Sequence, residues 1–262
     1  MSNQARSSDL TFVVISLGEA SLVVSLADRL RSAEVLFKVF MDDRTSRSEL
    51  QVLDDAGVDY SLVKNPRNFV EAVFPIVADR VSTSWAWFLD TDELPSLAAI
   101  EMVSRAVDSA RSFVNAIGVP RVWVRREMDG RLFRSRAAFI GRDIKWRVVK
   151  IQSVNFTPII HSHGHRLIGW RSRCLEDRAV VYHLDWIVHS RDARLEKLEL
   201  YESELPGAQA HFRDWYLPEA NPGLHNFEPI SDSWLADYVE SIVGYHASSS
   251  WASRLTKKDE DA

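Results

Sequence analysis

Residues 85–96 read WAWFLDTDELPS, an apolar run from Trp85 to Leu89 that breaks into Asp90, Asp92 and Glu93 and then into Pro95 and Ser96. Five apolar residues bounded by turn-forming and acidic ones fit a fully buried strand, and LAAIEMVSRAVDSARS behind it carries helical spacing. A strand followed at once by a helix is half of a βαβ unit, so the segment asks whether its neighbours repeat the pattern.

They do. TFVVISL (11–17), VLFKVFM (35–41) and VDYSLV (58–63) read as three earlier strands, each followed by a helical stretch: ASLVVSLADRLRSAE, SRSELQVLDDAG and NFVEAVFPIVADRV. Ser46 with Glu49, and Asn68 with Glu71, have capping-box spacing, and Gly57 stands where a helix can stop. Pro75 implies a kink or a shortened element, whereas Pro95 suits the first turn of the helix expected over 95–112. The βαβαβαβα order predicts an α/β fold with a mostly parallel central sheet flanked by helices.

Beyond about residue 118 the texture changes. VPRVWVRREMDGRLFRS pairs two strand-like runs around Asp129-Gly130, a hairpin signal, and short strands and loops continue to HLDWI. RDARLEKLELYESEL then reads as a charged helix capped by Ser190 and closed near Pro206. The expected organisation is a polar tail over 1–10, an α/β half over 11–117, a mixed or antiparallel half over 118–202, and a helical extension over 203–262. In the extension, ISDSWLADYVESIVGYH is amphipathic, with packing on the sheet, subunit pairing and contact with a membrane surface all open to it.

Composition narrows the function classes. The chain has 262 residues, 46% hydrophobic and 26% charged, long enough for a sizeable core. A net charge of −5 without a basic block argues against nucleic acid as a partner. A single cysteine, Cys174, rules out an internal disulfide framework and reads as structural. TFVVISL is too short for a membrane span or a secretory signal core, so a cytoplasmic protein without a span is expected.

The acidic residues carry the chemistry. In an open α/β sheet, ligands bind beyond the carboxyl ends of the strands, where loops and helix N-termini meet. Asp90, Asp92 and Glu93 fall at one such end, Asp42 and Asp43 at another. Hard carboxylate oxygens suit Mg²⁺ or Mn²⁺. The plain alternative is helix capping for the first group and an Asx turn for the second. In IIHSHGHRLIGW, His161, His163 and His165 alternate, so an extended strand would put them on one face, at spacing that suits a transition metal. Ordinary surface histidines are the competing reading. Arg125, Arg126, Arg131, Arg134, Arg136, Trp146, Arg147, Trp170 and Arg171 offer either an acceptor groove or the solvated face of strands.

Taken in order, TFVVISLGEASL, VFMDDRTS, WAWFLDTDELPS, GRLFR and VVYHLDWIVHSRDARLEKLELYE resemble successive segments of the GT-A-fold glycosyltransferases, close to the family 2-like group, over residues 11–202. The resemblance implies transfer of a sugar from a UDP- or GDP-sugar to a hydroxyl on a saccharide or other acceptor, assisted by Mn²⁺ or Mg²⁺. It implies a nucleotide-sugar site drawn from Ser16, Glu19, Asp42, Asp43, Arg67, Asp90 and Arg131, with Asp42 on the base. Asp90, Asp92 and His183 would be the metal ligands. Arg134, Trp146, His161, His163 and Trp170 are acceptor or phosphate candidates, and Glu176 and Asp177 are candidates for the proton acceptor. Three departures stand out: Gly18-Glu19 stands where Tyr-Asn-Glu is usual, Arg44 replaces a usual glycine, and the downstream acidic motif that supplies the base in many inverting members is missing. The rival functions are a sugar nucleotidyltransferase, for which LGEASL lacks the glycine-rich phosphate loop, and a catalytically silent protein on the same fold.

Overall fold

The computed structural model describes residues 7–67, 69–137, 143–160, 163–167, 172–221, 223 and 225–243. In chain order the elements are β1 (Leu10–Ser16), α1 (Ala20–Ser32), β2 (Phe37–Asp42), α2 (Arg47–Asp55), β3 (Tyr60–Val63), α3 (Phe74–Ala78), β4 (Trp85–Asp90), β5 (Glu93–Pro95) and α4 (Leu97–Asp108). Then follow β6 (Ala116–Arg126), β7 (Leu132–Ala137), β8 (Ile144–Lys150), β9 (Val154–Phe156), β10 (His165–Leu167), β11 (Ser172–Cys174) and β12 (Val181–His183). The remainder comprises α5 (Asp185–Val188), α6 (Arg191–Glu204), α7 (Ala208–Tyr216), β13 (His225–Pro229) and α8 (Ser233–Val243). The chain divides into two compact units, Met1–Pro120 with Ile144–Val181, and Arg121–Asp143 with Tyr182–Ala262.

Unit 1 is the α/β body expected from the repeated strand and helix pattern. Its strands run β6, β8, β4, β1, β2, β3, with β11 alongside the first half of β6. β1 is parallel to β2 and β4, and β2 to β3, while β8 is antiparallel to β4 and β6. β1 is buried along its whole length, as an unbroken apolar strand in the middle of a parallel sheet should be. On one face Val13, Ile15, Phe40, Ala86 and Phe88 pack with Val73, Phe74 and Val77. The Phe74 and Phe88 rings stack at 4.5 Å between centroids, a separation at which offset aromatic pairs are favourable beyond their burial. Helix α1 buries Leu22, Val23, Leu26 and Leu30, a stripe of helical period.

Several local expectations are corrected. The helix expected from residue 68 is a single 3₁₀ turn, Val70–Ala72, followed by the five-residue α3 with Pro75 in its first turn. Asn68, its expected cap, lies outside the described residues. Pro95 does not open α4; it closes β5, and Ser96 caps the helix by accepting from the Ala99 amide at 3.1 Å. HLDWI is not a strand throughout: Asp185 to Val188 form the short helix α5.

In unit 2 the second half of β6 pairs antiparallel with β7 across the Asp129-Gly130 turn, and β13 pairs antiparallel with β7. Gly130 has φ +85°, a conformation that glycine adopts without strain. Helix α6 is capped by Ser190, whose oxygen accepts from the Ala193 amide. Its Leu198 packs with Trp123, Tyr216 and Leu217. In α8, Leu235, Val239 and Ile242 are buried at helical spacing, and α8 contacts α5. Intramolecular packing therefore accounts for the apolar face of that helix. Among the described residues no helix is long and apolar enough to cross a membrane.

Candidate active site

The carboxyl ends of β1, β2 and β4 bring the sequence-predicted residues of unit 1 together. Ile15 pairs with both Phe40 and Asp90, so the three strands end within two residues of one level. The loops that follow carry Ser16 to Glu19, Asp42 to Thr45, and Asp90 to Glu93. Ser16 is buried and its hydroxyl oxygen accepts from the Gly18 and Glu19 amides at 3.2 and 2.9 Å. This turn aims Glu19 across the edge, where its carboxylate accepts from the Thr91 hydroxyl. The Glu49 carboxylate accepts from the Ala20 amide at 2.9 Å and so serves the start of α1. The first loop is thus tied to the β4 loop and to α2 before any ligand is considered.

Asp42 is buried at the end of β2, and its carboxylate is held by Arg44. The Arg44 backbone amide and Nε donate to Oδ1 at 2.9 and 2.8 Å, and Nη2 donates to Oδ2 at 2.7 Å. Nη2 also reaches the Arg67 carbonyl at 3.3 Å. A bidentate guanidinium is a strong partner, and Asp42 raises the Arg44 pKa further through its hydrogen bond. Where the resemblance put a base contact on Asp42, the residue already has a cation of its own. Asp43 is exposed, and the Arg67 guanidinium lies over the Phe69 ring at 5.8 Å.

At the end of β4 a second arginine is decisive, one that the sequence left open between an acceptor groove and the solvated face of a strand. Arg147 on β8 is buried, with Asp90 at 2.6 Å, Glu71 at 2.9 Å and Glu93 at 3.7 Å. Its guanidinium carbon lies 5.4 Å from the Phe74 ring centroid. One buried cation thus faces three carboxylates. Burial raises Glu71 to about 7 against the pull of Arg147, with Asp90 pushing the same way. The neighbouring carboxylates raise the Arg147 pKa, which keeps the guanidinium charged. The surplus negative charge is best relieved by a proton on Glu71, whose carboxyl burial pushes up. Asp90 Oδ1 is buried without a hydrogen-bond partner, and Asp92, one residue beyond Thr91, is also buried.

The other predicted residues of unit 1 are dispersed. Glu176 and Asp177 follow β11, which is separated from β4 by β6 and β8. Both acids are exposed, and Glu176 pairs with Arg178 at 3.0 Å. Trp146 packs against the core, and its carbonyl accepts from His165 Nε2 at 2.5 Å. His163 and His165 are 6.4 Å apart between ring centroids. They do not share a strand face: β10 begins at His165, and Gly164 at φ +77° interrupts the alternation. A side chain at Gly164 would meet the Phe74 ring at 2.2 Å, which explains the glycine. Burial lowers the His165 pKa, favouring a neutral ring. His161 and Trp170 lie outside the described residues.

In unit 2, Arg131 sits at the hairpin turn, exposed and paired with Asp129 at 2.6 Å, and Arg134 pairs with Glu228 at 3.0 Å. His183 is buried edge-on to Trp123, 4.1 Å between centroids. Nearby is a charge cluster that sequence reading missed. Asp185 is fully buried and its Oδ1 accepts from His189 Nδ1 at 3.0 Å and from Lys197 Nζ at 2.9 Å. Despite burial, Lys197, His189 and His183 hold the Asp185 carboxyl well below its ordinary range. Lys197 also lies 5.0 Å from the Tyr216 ring centroid, in an aromatic group where Trp123 neighbours Trp186 at 5.0 Å and Trp215 at 5.8 Å. The four-residue spacing of Asp185 and His189 was visible in HLDWIVHS; their burial with Lys197 was not.

No family model matches the chain, and no curated protein matches it. Solved structures do. Glucosyl-3-phosphoglycerate synthase from Mycobacterium tuberculosis, in complex with Mn²⁺, UDP and phosphoglyceric acid, is 12% identical, with 45% of this chain and 44% of that one covered and a TM-score of 0.36. S. aureus TarS, residues 1–349 in complex with UDP, is 15% identical over 80% of this chain and 70% of that one, with a TM-score of 0.47. The chain thus spans under half the length of the synthase chains it matches. Likenesses at this level bear on the fold at most, and the reading of the site rests on the geometry above.

Proposed function

We propose that the chain is a glycosyltransferase that moves a sugar from a nucleotide-sugar donor to a hydroxyl acceptor. The observation that carries the reading is the gathering of Ser16, Glu19, Asp42, Asp90 and Asp92 at the carboxyl edge of β1, β2 and β4. An α/β sheet presents ligands at that edge.

A divalent cation fits this donor set in part. Asp92 and the unpartnered Oδ1 of Asp90 are hard oxygen donors suited to Mn²⁺ or Mg²⁺, while Asp90 Oδ2 is committed to Arg147. A bound cation would offset the charge that develops on a departing nucleoside diphosphate. The protein's own residues set the frame for this. Arg147 fixes Asp90, Glu19 and Thr91 join two edge loops, and Arg44 holds Asp42 where a ligand must compete for it.

Unit 2, by itself, carries a candidate proton acceptor in the Asp185 and His189 pair. His189 Nδ1 lies 3.0 Å from the buried Asp185 carboxylate, a pairing that stabilises an imidazolium after proton uptake. Glu176 and Asp177, exposed beyond β11, are the alternative candidates for this role.

The second reading is a catalytically silent nucleotide-binding protein. It is favoured by one observation: Asp42 and Asp90 are both already paired with arginines of this chain. The experiment that separates the readings is thermal unfolding with UDP or GDP, with and without Mn²⁺. A transferase gains stability from nucleotide plus metal and loses the metal-dependent part in Asp92→Ala. A gain that ignores both Mn²⁺ and Asp92 contradicts the metal-assisted reading and supports the silent one.

A further inference from the structure

Helix α4 and strand β11 border a concavity of about 220 Å³ in unit 1, lined by Met102, Arg105, Ala106, Arg173, Leu175 and Arg178, with Ser109 and Glu176 completing the rim. Met102, Arg105, Ala106 and Ser109 are spaced i, i+3, i+4 and i+7, so one face of α4 supplies both the floor and an arginine. Ala106 and Leu175 are buried, whereas Arg105, Arg173 and Arg178 are exposed. Three arginines, from a helix, a strand and a loop, therefore line one small hollow that also has buried apolar residues.

Their partners are few. Arg178 pairs with Glu176 at 3.0 Å, both side chains being about two-thirds exposed at 68% and 70%. Such a surface pair contributes little and yields readily to a competitor. Arg105 and Arg173 have no ion pair or side-chain hydrogen bond among the described residues. With a single carboxylate on the rim, the hollow keeps a net charge of +2. Like charges that share a concave surface repel one another and concentrate anions there.

We infer that this hollow is a binding site for a phosphate monoester carried on a small body. The reading follows from chemistry. Guanidinium groups match phosphate oxygens in pairs, and three of them suit three terminal oxygens better than the two of a carboxylate. A hollow of about 220 Å³ accommodates a phosphate with a short polyol or acyl stub. The site is separate from the carboxyl-edge group and does not rest on the transferase reading.

The probes are inorganic phosphate, glycerol 3-phosphate and acetate, titrated into the full chain at constant ionic strength and followed by arginine side-chain NMR shifts. Glycerol 3-phosphate is expected to saturate at concentrations at least tenfold below acetate. In Arg105→Gln with Arg173→Gln its affinity falls tenfold or more, while Arg111→Gln, a change outside the hollow, leaves it unaltered. Asp92→Ala leaves it unaltered too, so failure of the transferase reading and failure of this one are distinguishable. Sedimentation with phosphatidylcholine vesicles containing phosphatidic acid, lost in the double variant, assigns the phosphate to a lipid headgroup. Binding of the soluble ester without vesicle binding assigns it to a free metabolite. The inference is overturned if neither probe saturates, if acetate binds as well as the ester, or if the double variant retains its affinity or loses no more than Arg111→Gln.

Discussion

The Arg147 guanidinium lies 2.6 Å from the Asp90 carboxylate, with Arg147 itself 2% exposed. An aspartate that family likeness would give to a cation is therefore met by a cation of the fold. Glu71 and Glu93 share that arginine, so removing it strands three acids at once. Breaking a buried pair from one side costs about 3–5 kcal/mol. Arg147→Met should destabilise the protein by that order in urea unfolding monitored by tryptophan fluorescence. A loss below about 1 kcal/mol would show that solvent or other groups already satisfy these acids.

Glu71 gives the cluster a pH signature. Its carboxyl rises from 4.5 to about 7 on folding, so between those values the native state binds a proton that the unfolded chain has released. The slope of stability with pH follows protons bound in the unfolded minus the native state, and is negative here. The Glu71 contribution is thus fully present below about pH 4.5 and is lost as pH rises through about 7, amounting to at most about 3 kcal/mol. Comparing wild type with Glu71→Gln at pH 5 and pH 8 isolates it: the variant should be relatively more stable at pH 8. Parallel pH curves would contradict the assignment.

Asp185 has the opposite sign. Its carboxyl is held below the ordinary range by Lys197 and the histidines, so its contribution is present above the unfolded value near 4 and is lost as pH falls through the lower folded value. Lys197→Met removes the strongest of these partners and should move acid unfolding to higher pH. Unchanged acid unfolding would mean that His189 alone suffices.

Arg44 tests the edge at β2. Arg44→Gly leaves the buried Asp42 carboxylate with one partner fewer and should cost about 1–3 kcal/mol of stability. It also frees an acceptor for a nucleobase, so nucleoside diphosphate binding should tighten roughly tenfold, as one charged hydrogen bond allows. Weaker binding in calorimetry would show instead that Arg44 itself contacts the nucleotide.

Much of the architecture was legible because it is local. Unbroken apolar strands, helical stripes in α1 and α4, the Asp129-Gly130 turn and the serine caps at 46 and 190 are written in adjacent residues. What was not legible depends on partners far apart in sequence. Glu49 reads as half of a capping box, yet its carboxylate serves Ala20 in another helix. Glu71 reads the same way and is buried against Arg147. Arg147 in KWRVVK reads as a groove residue or as the solvated member of an alternating strand, since nothing nearby announces the acids at 71, 90 and 93. The aromatic group around Trp123 joins residues from 186 to 217 that no period relates. For the candidate site, the carboxylates were visible as strand-end acids, but their internal counterions were not.

The central claim is sugar transfer from a nucleotide donor, and release of nucleoside diphosphate from a panel of UDP- and GDP-sugars with Mn²⁺ present measures it most directly. The account predicts turnover with at least one donor, abolished by EDTA and reduced at least a hundredfold in Asp92→Ala, in line with the loss of a group stabilising transition-state charge. Release from none of the donors, or release that Asp92→Ala leaves intact, would contradict it.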